Sequence, residues 1–155
     1  MPIPASEPRI LIKDLVKDNW VAANVLGTTT PDWHTGWHNP SSLLSQGTFT
    51  NPSESAQGAH GYGAIEGGGG GAVQIWTGVL FLDFWARRVD GGVNPKQLNY
   101  ECGQEAVRII LANAASVANL AVIGVVMNTE LPPETDKDPP VFRRSLTIGY
   151  QWRTT

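Results

Sequence analysis

"GAHGYGAIEGGGGGAVQIWTGVLFLDFWARR", residues 58–88, decides how the chain is read. Five glycines, Gly67–Gly71, run almost directly into strongly apolar and aromatic text. A phosphate-binding loop needs a strand before it and a helix after it, so that amide N–H groups and the helix N-terminus converge on the anion. Here the element that follows reads as a strand. Val73, Ile75, Thr77, Val79, Phe81, Asp83 and Trp85 fall on one alternating face, and Gln74, Trp76, Gly78, Leu80, Leu82, Phe84 and Ala86 on the other. A strand apolar on both sides is a central or interface strand. Its length predicts a bulge at Gly78. No Gly-Lys-Ser/Thr occurs anywhere in the chain, so the Walker pattern fails. The glycines read instead as backbone slack in a long loop.

Outward from this strand the other elements fall into place. Upstream, Leu11, Ile12, Leu15, Val16, Ala22, Ala23 and Leu26 recur at helical spacing. Ser6 is the expected N-cap and Gly27 the expected residue just past the helix end. Residues 27–72 hold Pro31, Pro40 and Pro52 among Ser, Thr, Asn and Gly. They read as a long loop with a short strand expected inside it, near 47–50. Downstream, Asn94 caps a second helix with Pro95 at its first position. That helix puts Leu98, Cys102, Ala106, Ile109 and Ile110 on one stripe. Residues 120–129 read as a buried strand and 130–140 as a Pro-rich connector. Residues 141–154 alternate cleanly, with Phe142, Arg144, Leu146, Ile148, Tyr150 and Trp152 on one face. The expectation is one α+β domain: a small, mostly antiparallel sheet, two helices packed on one face, and a long glycine-rich loop.

Bulk composition narrows the function. The 155 residues are 41% hydrophobic but only 16% charged, with a net charge of −3. Such a low-charge surface suits contact with other protein, and no basic field attracts nucleic acid. Between Asp18 and Arg87 there is no Lys or Arg, and only Asp32, Glu54, Glu66 and Asp83 are acidic. The single cysteine, Cys102, excludes an intrachain disulfide and a cysteine-based zinc site. The opening "MPIPASEPRI" lacks the basic-then-apolar pattern of a signal peptide, and no apolar run approaches a membrane span. The expectation is a soluble protein made in a reducing cytoplasm.

Candidate chemistry is sparse. "DWHTGWHN" carries His34 and His38 four apart with Asp32 nearby, which on a helix would share a metal-binding face. Gly36, Pro31 and Pro40 argue against a rigid helix there, and no glutamate completes a zinc-protease motif. The spacing alone does not join His60 to this pair. No nucleophile elbow is present, and Cys102 sits on the apolar stripe of its helix. "ETDKD", 134–138, reads as a solvated tip. Asp83, inside an aromatic strand, requires solvent, a partner or a cation such as Arg87 or Arg88. No catalytic residue, cofactor or metal is assigned. The residues expected to meet other chains are Trp33, Trp37, His60, Tyr62, Trp76, Phe84, Trp85, Arg143 and Arg153, because aromatic and Arg side chains anchor interfaces.

The close of the chain, "PPVFRRSLTIGYQW", resembles that of tail-terminator and related neck or tail-completion proteins of tailed viruses. So does the order of elements, from "ILIKDLVKDNW" through "VQIWTGVLFLDFWARR" and "KQLNYECGQEAVRIILANA" to the final strands. The resemblance covers most of the chain in pattern and rests on no invariant motif; the glycine-rich insertion departs from it. It implies a structural virion protein in the tail or neck, assembled in the host cytoplasm. It also implies a homo-oligomer, a hexameric ring capping the tail tube and joining it to the head–tail connector. Tail tube protein and connector protein would be its partners, and genome DNA would pass through the lumen without specific binding. No membrane is involved. Two alternatives carry different chemistry. One is a small metal-binding protein or enzyme using Asp32, His34 and His38. The other is a carbohydrate-binding module using exposed Trp33, Trp37 and Trp76.

Overall fold

The computed structural model describes residues 8–35, 56–62, 65–68, 74–88, 92–113, 120–136 and 140–154. At 8–10, 32, 34–35, 56–62, 65–68, 74–79, 120–123 and 152–154 it describes the backbone alone. The elements are helix α1 (Pro8–Asp18), two single 3-10 turns (Ala22–Asn24 and Leu26–Thr28), and strands β1 (Asp32–Thr35), β2 (Ala56–Tyr62), β3 (Ile65–Gly68) and β4 (Gln74–Arg87). Helix α2 (Pro95–Asn113) and strands β5 (Leu120–Glu134) and β6 (Val141–Thr154) follow.

The fold is α+β, with the two helices on one face of a mostly antiparallel sheet. The strand order is β1-β2-β4-β6-β5, and β3 also pairs with β4. β2 and β3 share one edge of β4: β2 pairs with residues 81–87 and β3 with residues 75–78. β6 runs along the other edge for the whole of β4. The single parallel pair among the described strands is β1 with β2.

Alternation builds the core. Leu80, Leu82, Phe84 and Ala86 of β4 and Leu146, Ile148 and Tyr150 of β6 are buried against Ile12 and Val16 of α1 and Leu98, Cys102, Ala106, Ile109 and Ile110 of α2. Each large side chain so buried contributes roughly 1.5–3 kcal/mol. The α2 stripe lies where its spacing predicts. Its N-terminus is capped as expected: the amides of Lys96 and Gln97 donate to Asn94 Oδ1 at 3.0 and 3.3 Å.

Several boundaries differ from expectation. The first helix ends at Asp18, not near Gly27. The apolar residues beyond it are spent on the 3-10 turns, where Trp20 Nε1 donates to Thr29 O at 3.0 Å. Gly27 does adopt φ +71°, at a 3-10 turn rather than an α-helix end. Ser6, residues 47–50 and the last three of the five glycines lie outside the described residues. The loop expected over 27–72 contains β1, β2 and β3. "AQGAHGY" and "IEGG" have little strand propensity, but the long edge of β4 offers them backbone partners, and tertiary pairing overrides propensity.

Gly78 carries no bulge, since β4 and β6 stay in continuous register from 74 to 87. The irregularities fall in β5, between Val122 and Gly124, Val125 and Met127, and Leu131 and Glu134. β5 also runs on to Glu134, so the connector expected from 130 begins only at Thr135. Pro132 and Pro133 fit inside it because β5 is the terminal strand of the sheet and they occupy a bulge, where the missing N–H breaks no ladder.

Candidate interaction surface

Among the described residues, the large exposed apolar side chains fall mainly on α2 and β5. α2 lies across β4, β6 and β5, tied to β5 by Lys96 Nζ and Glu130 Oε1 at 3.5 Å. Tyr100 and Leu111 of α2 are 43% and 70% exposed, and Val126 and Met127 of β5 are 68% and 54% exposed; Met127 pairs with Thr147 and so stands on the sheet face away from the helices. Tyr100 and Leu111 stand about three turns apart on the same helical stripe. Val126 is the extra residue of a β5 bulge: Val125 pairs with Ile148 and Met127 with Thr147. A bulge leaves one residue unpaired and re-aims its neighbours, which explains two consecutive apolar side chains turned to solvent. Sequence alternation missed this surface, because a bulge breaks the period that alternation assumes. Val21 is the one other large apolar side chain with comparable exposure among the described residues.

Arg144 lies beside Tyr100. Its Nη1 donates to Asn128 Oδ1 at 3.0 Å, and its guanidinium carbon lies 5.2 Å from the Tyr100 ring centroid. Gly103 makes this route possible: a Cβ there would stand 2.9 Å from Arg144 Cδ. Gln104 Nε2 donates to Tyr100 Oη at 2.9 Å and steadies the ring.

The opposite face of the sheet is polar at its centre. Asp83 is fully buried; its Oδ2 accepts from Arg143 Nη2 at 2.8 Å and its Oδ1 from Ser145 Oγ at 2.6 Å. Glu134 Oε1 lies 3.7 Å from Arg143 Nη1. The ion pair expected of Asp83 is present, and Arg143 of the neighbouring strand supplies the cation rather than Arg87 or Arg88. Cross-strand pairing explains the choice. Asp83 is in register with Ser145, and Arg143 is the next residue of β6 on that face.

A second buried carboxylate ties the helices' surroundings together. Glu105 of α2 is buried, and its Oε2 accepts from Asn24 Nδ2 at 2.7 Å, pinning the first 3-10 turn. Its Oε1 accepts from Arg108 Nε at 2.7 Å and from Arg108 Nη2. This bond raises the Arg108 guanidinium pKa above its ordinary value. Burial, reinforced by Glu101 and Glu105, pushes the Cys102 thiol far up, so it is a core residue and no nucleophile.

The residues expected at interfaces are scattered. Phe84 and Trp85 are fully buried within the chain, so neither offers surface to a partner; that expectation is corrected. A strand apolar on both sides is here a central strand, covered on both faces. Trp33 is half-buried, at 5.5 Å from Trp20 and 6.2 Å from Phe84 between ring centroids. It closes the edge of the core instead of standing out as a platform. Arg143 is engaged with Asp83. His60 and Tyr62 lie on β2, Trp76 on β4 and Arg153 on β6, in segments described by their backbone. Trp37 and His38 lie outside the described residues. Asp32 and His34 belong to strand β1, so the four-residue spacing of the two histidines does not begin in a helix.

Among the side chains described, no three His, Cys, Asp or Glu residues group to hold a metal ion. No described helix is long and apolar enough to cross a membrane. No protein-family model matches the sequence, and no curated protein matches it.

Proposed function

We propose that this chain is a structural virion protein, a tail-terminator or neck ring subunit that caps the tail tube and joins it to the head connector. The observation that carries the reading is the exposure of Tyr100 and Leu111 on α2 and of Val126 and Met127 on β5, apolar surface on a chain that is only 16% charged. A ring subunit needs heterologous contacts between unlike surfaces, and exposed apolar side chains on a helix and on the terminal strand can serve two such surfaces. The bulges of β5 disfavour open-ended strand addition, as a closed ring requires. Arg143 and Arg144 are spent on Asp83, Asn128 and Tyr100. Two of the cations that could grip DNA in a lumen are therefore used within the chain.

Light scattering and electron microscopy of the purified chain, alone and with tail tubes, test the reading. The expected result is a hexameric ring, free or seated on tube ends, that Val126→Asp with Met127→Asp disperses. A monomer at all concentrations that ignores tubes overturns it.

A further inference from the structure

Two prolines of β5 stand opposite a single residue of β6. Leu131 pairs with Arg143 and Glu134 with Val141, so Pro132 and Pro133 together oppose Phe142 alone. Two residues against one make a β-bulge. Proline has no backbone N–H. β5 therefore offers the Phe142 carbonyl no ladder donor, and a backbone carbonyl left unmet inside a fold costs free energy. The donor comes from the helix layer instead: Asn99 Nδ2 of α2 donates to Phe142 O at 2.8 Å.

This bond accounts for a polar residue where the helix is otherwise apolar. Asn99 is 2% exposed and follows the buried Leu98 on α2. Burying its amide costs free energy unless a partner meets it. The same bond bears on register. β5 is a terminal strand, so β6 is its one ladder partner among the described strands. Pairing shifts by one residue across the proline bulge. A slip of one residue turns every side chain beyond it to the other face. Glu134, just past the bulge, places Oε1 3.7 Å from Arg143 Nη1, and a slip would carry it away.

We propose that Asn99 is a register latch. Its side-chain amide stands in for the ladder donor that Pro132 and Pro133 lack, and so locks the bulge of β5 to α2. The proposal is independent of the ring-subunit reading.

The test combines NMR couplings across hydrogen bonds in the full chain with urea unfolding of variants. The parent should show a coupling from Asn99 Nδ2 to the Phe142 carbonyl carbon, and none to that carbon from a backbone amide. Asn99→Leu leaves a buried acceptor unmet and should raise the unfolding equilibrium constant about tenfold or more. It should also weaken the cross-strand contacts of Leu131 with Arg143 and of Glu134 with Val141. Pro132→Ala with Pro133→Ala restores backbone donors to β5. In that background Asn99→Leu should cost about threefold or less, because the two sites are coupled. A loss of equal size in both backgrounds overturns the proposal. So does a backbone amide coupled to the Phe142 carbonyl, or no coupling from Asn99, in the parent chain; that measurement decides the matter even if a variant fails to fold.

Discussion

Arg143 reaches across from β6 to place Nη2 2.8 Å from Oδ2 of the wholly buried Asp83. Taking two charges from water is costly, and the pair recovers that cost only while both members are present. Asp83→Ala therefore removes the closest anion from the guanidinium, leaving Glu134 at 3.7 Å, and should destabilise the fold by about 3 kcal/mol. Asp83→Leu with Arg143→Met should recover most of the loss, because well-packed apolar side chains replace such pairs at little cost. Urea unfolding of the two variants measures both effects. A single variant as stable as the parent would show that the pair does not hold the sheet.

Gly103 tests close packing against helix propensity. On an exposed helix Gly→Ala gains roughly 1 kcal/mol. Here the new methyl meets Arg144 Cδ at 2.9 Å and Asn128 Oδ1 at 3.3 Å. Gly103→Ala should therefore be net destabilising, while in an Arg144→Ala background the same change should be favourable. The sign reversal in a double-mutant cycle is the readout.

The cap at the start of α2 is separable from its core stripe. Asn94→Ala removes the acceptor for the amides of Lys96 and Gln97 and should cost about 1 kcal/mol. Asn94→Ser should restore most of it, measured as a shift in thermal midpoint.

Cys102 links stability to alkaline pH. Its folded thiol pKa lies well above the ordinary value of 9.0. Below 9.0 both folded and unfolded chains hold the proton, and the stabilisation is fully present. Above it the unfolded chain releases the proton while the folded chain keeps it, so stability falls as pH rises. The difference in unfolding free energy between the parent and Cys102→Ala should change by up to ~1.4 kcal/mol per pH unit in that range. A pH-independent difference between pH 8 and about 10.5 would contradict the burial of the thiol.

Much of the fold was legible because β4, α2 and β6 satisfy their local rules. Leu80 to Ala86 and Leu146 to Tyr150 alternate, and Leu98 to Ile110 follow a helical stripe capped by Asn94. What stayed hidden depends on partners distant in sequence. β2 and β3 are strands because β4 has a free edge, and no propensity in "AQGAHGY" announces it. The β5 bulge that turns Val126 outward is a two-strand property. Asp83 called for a cation, yet choosing Arg143 over Arg87 required the register of a strand 60 residues on. Two of the expected interface aromatics, Phe84 and Trp85, are buried for a related reason: the strand is apolar on both faces because it is central.

The strand order has a consequence for how the chain folds. β6 is the last strand in sequence but lies between β4 and β5. During synthesis β4, α2 and β5 emerge with no ladder to join β4 to β5. They must wait, with apolar edges open, until Val141–Thr154 slides between them. The β5–β6 hairpin is the cheap local contact, and the β4–β6 pairing across α2 is the slow one. Closure of this sheet is therefore a late insertion, and the facing edges of β4 and β5 stay unjoined until β6 arrives.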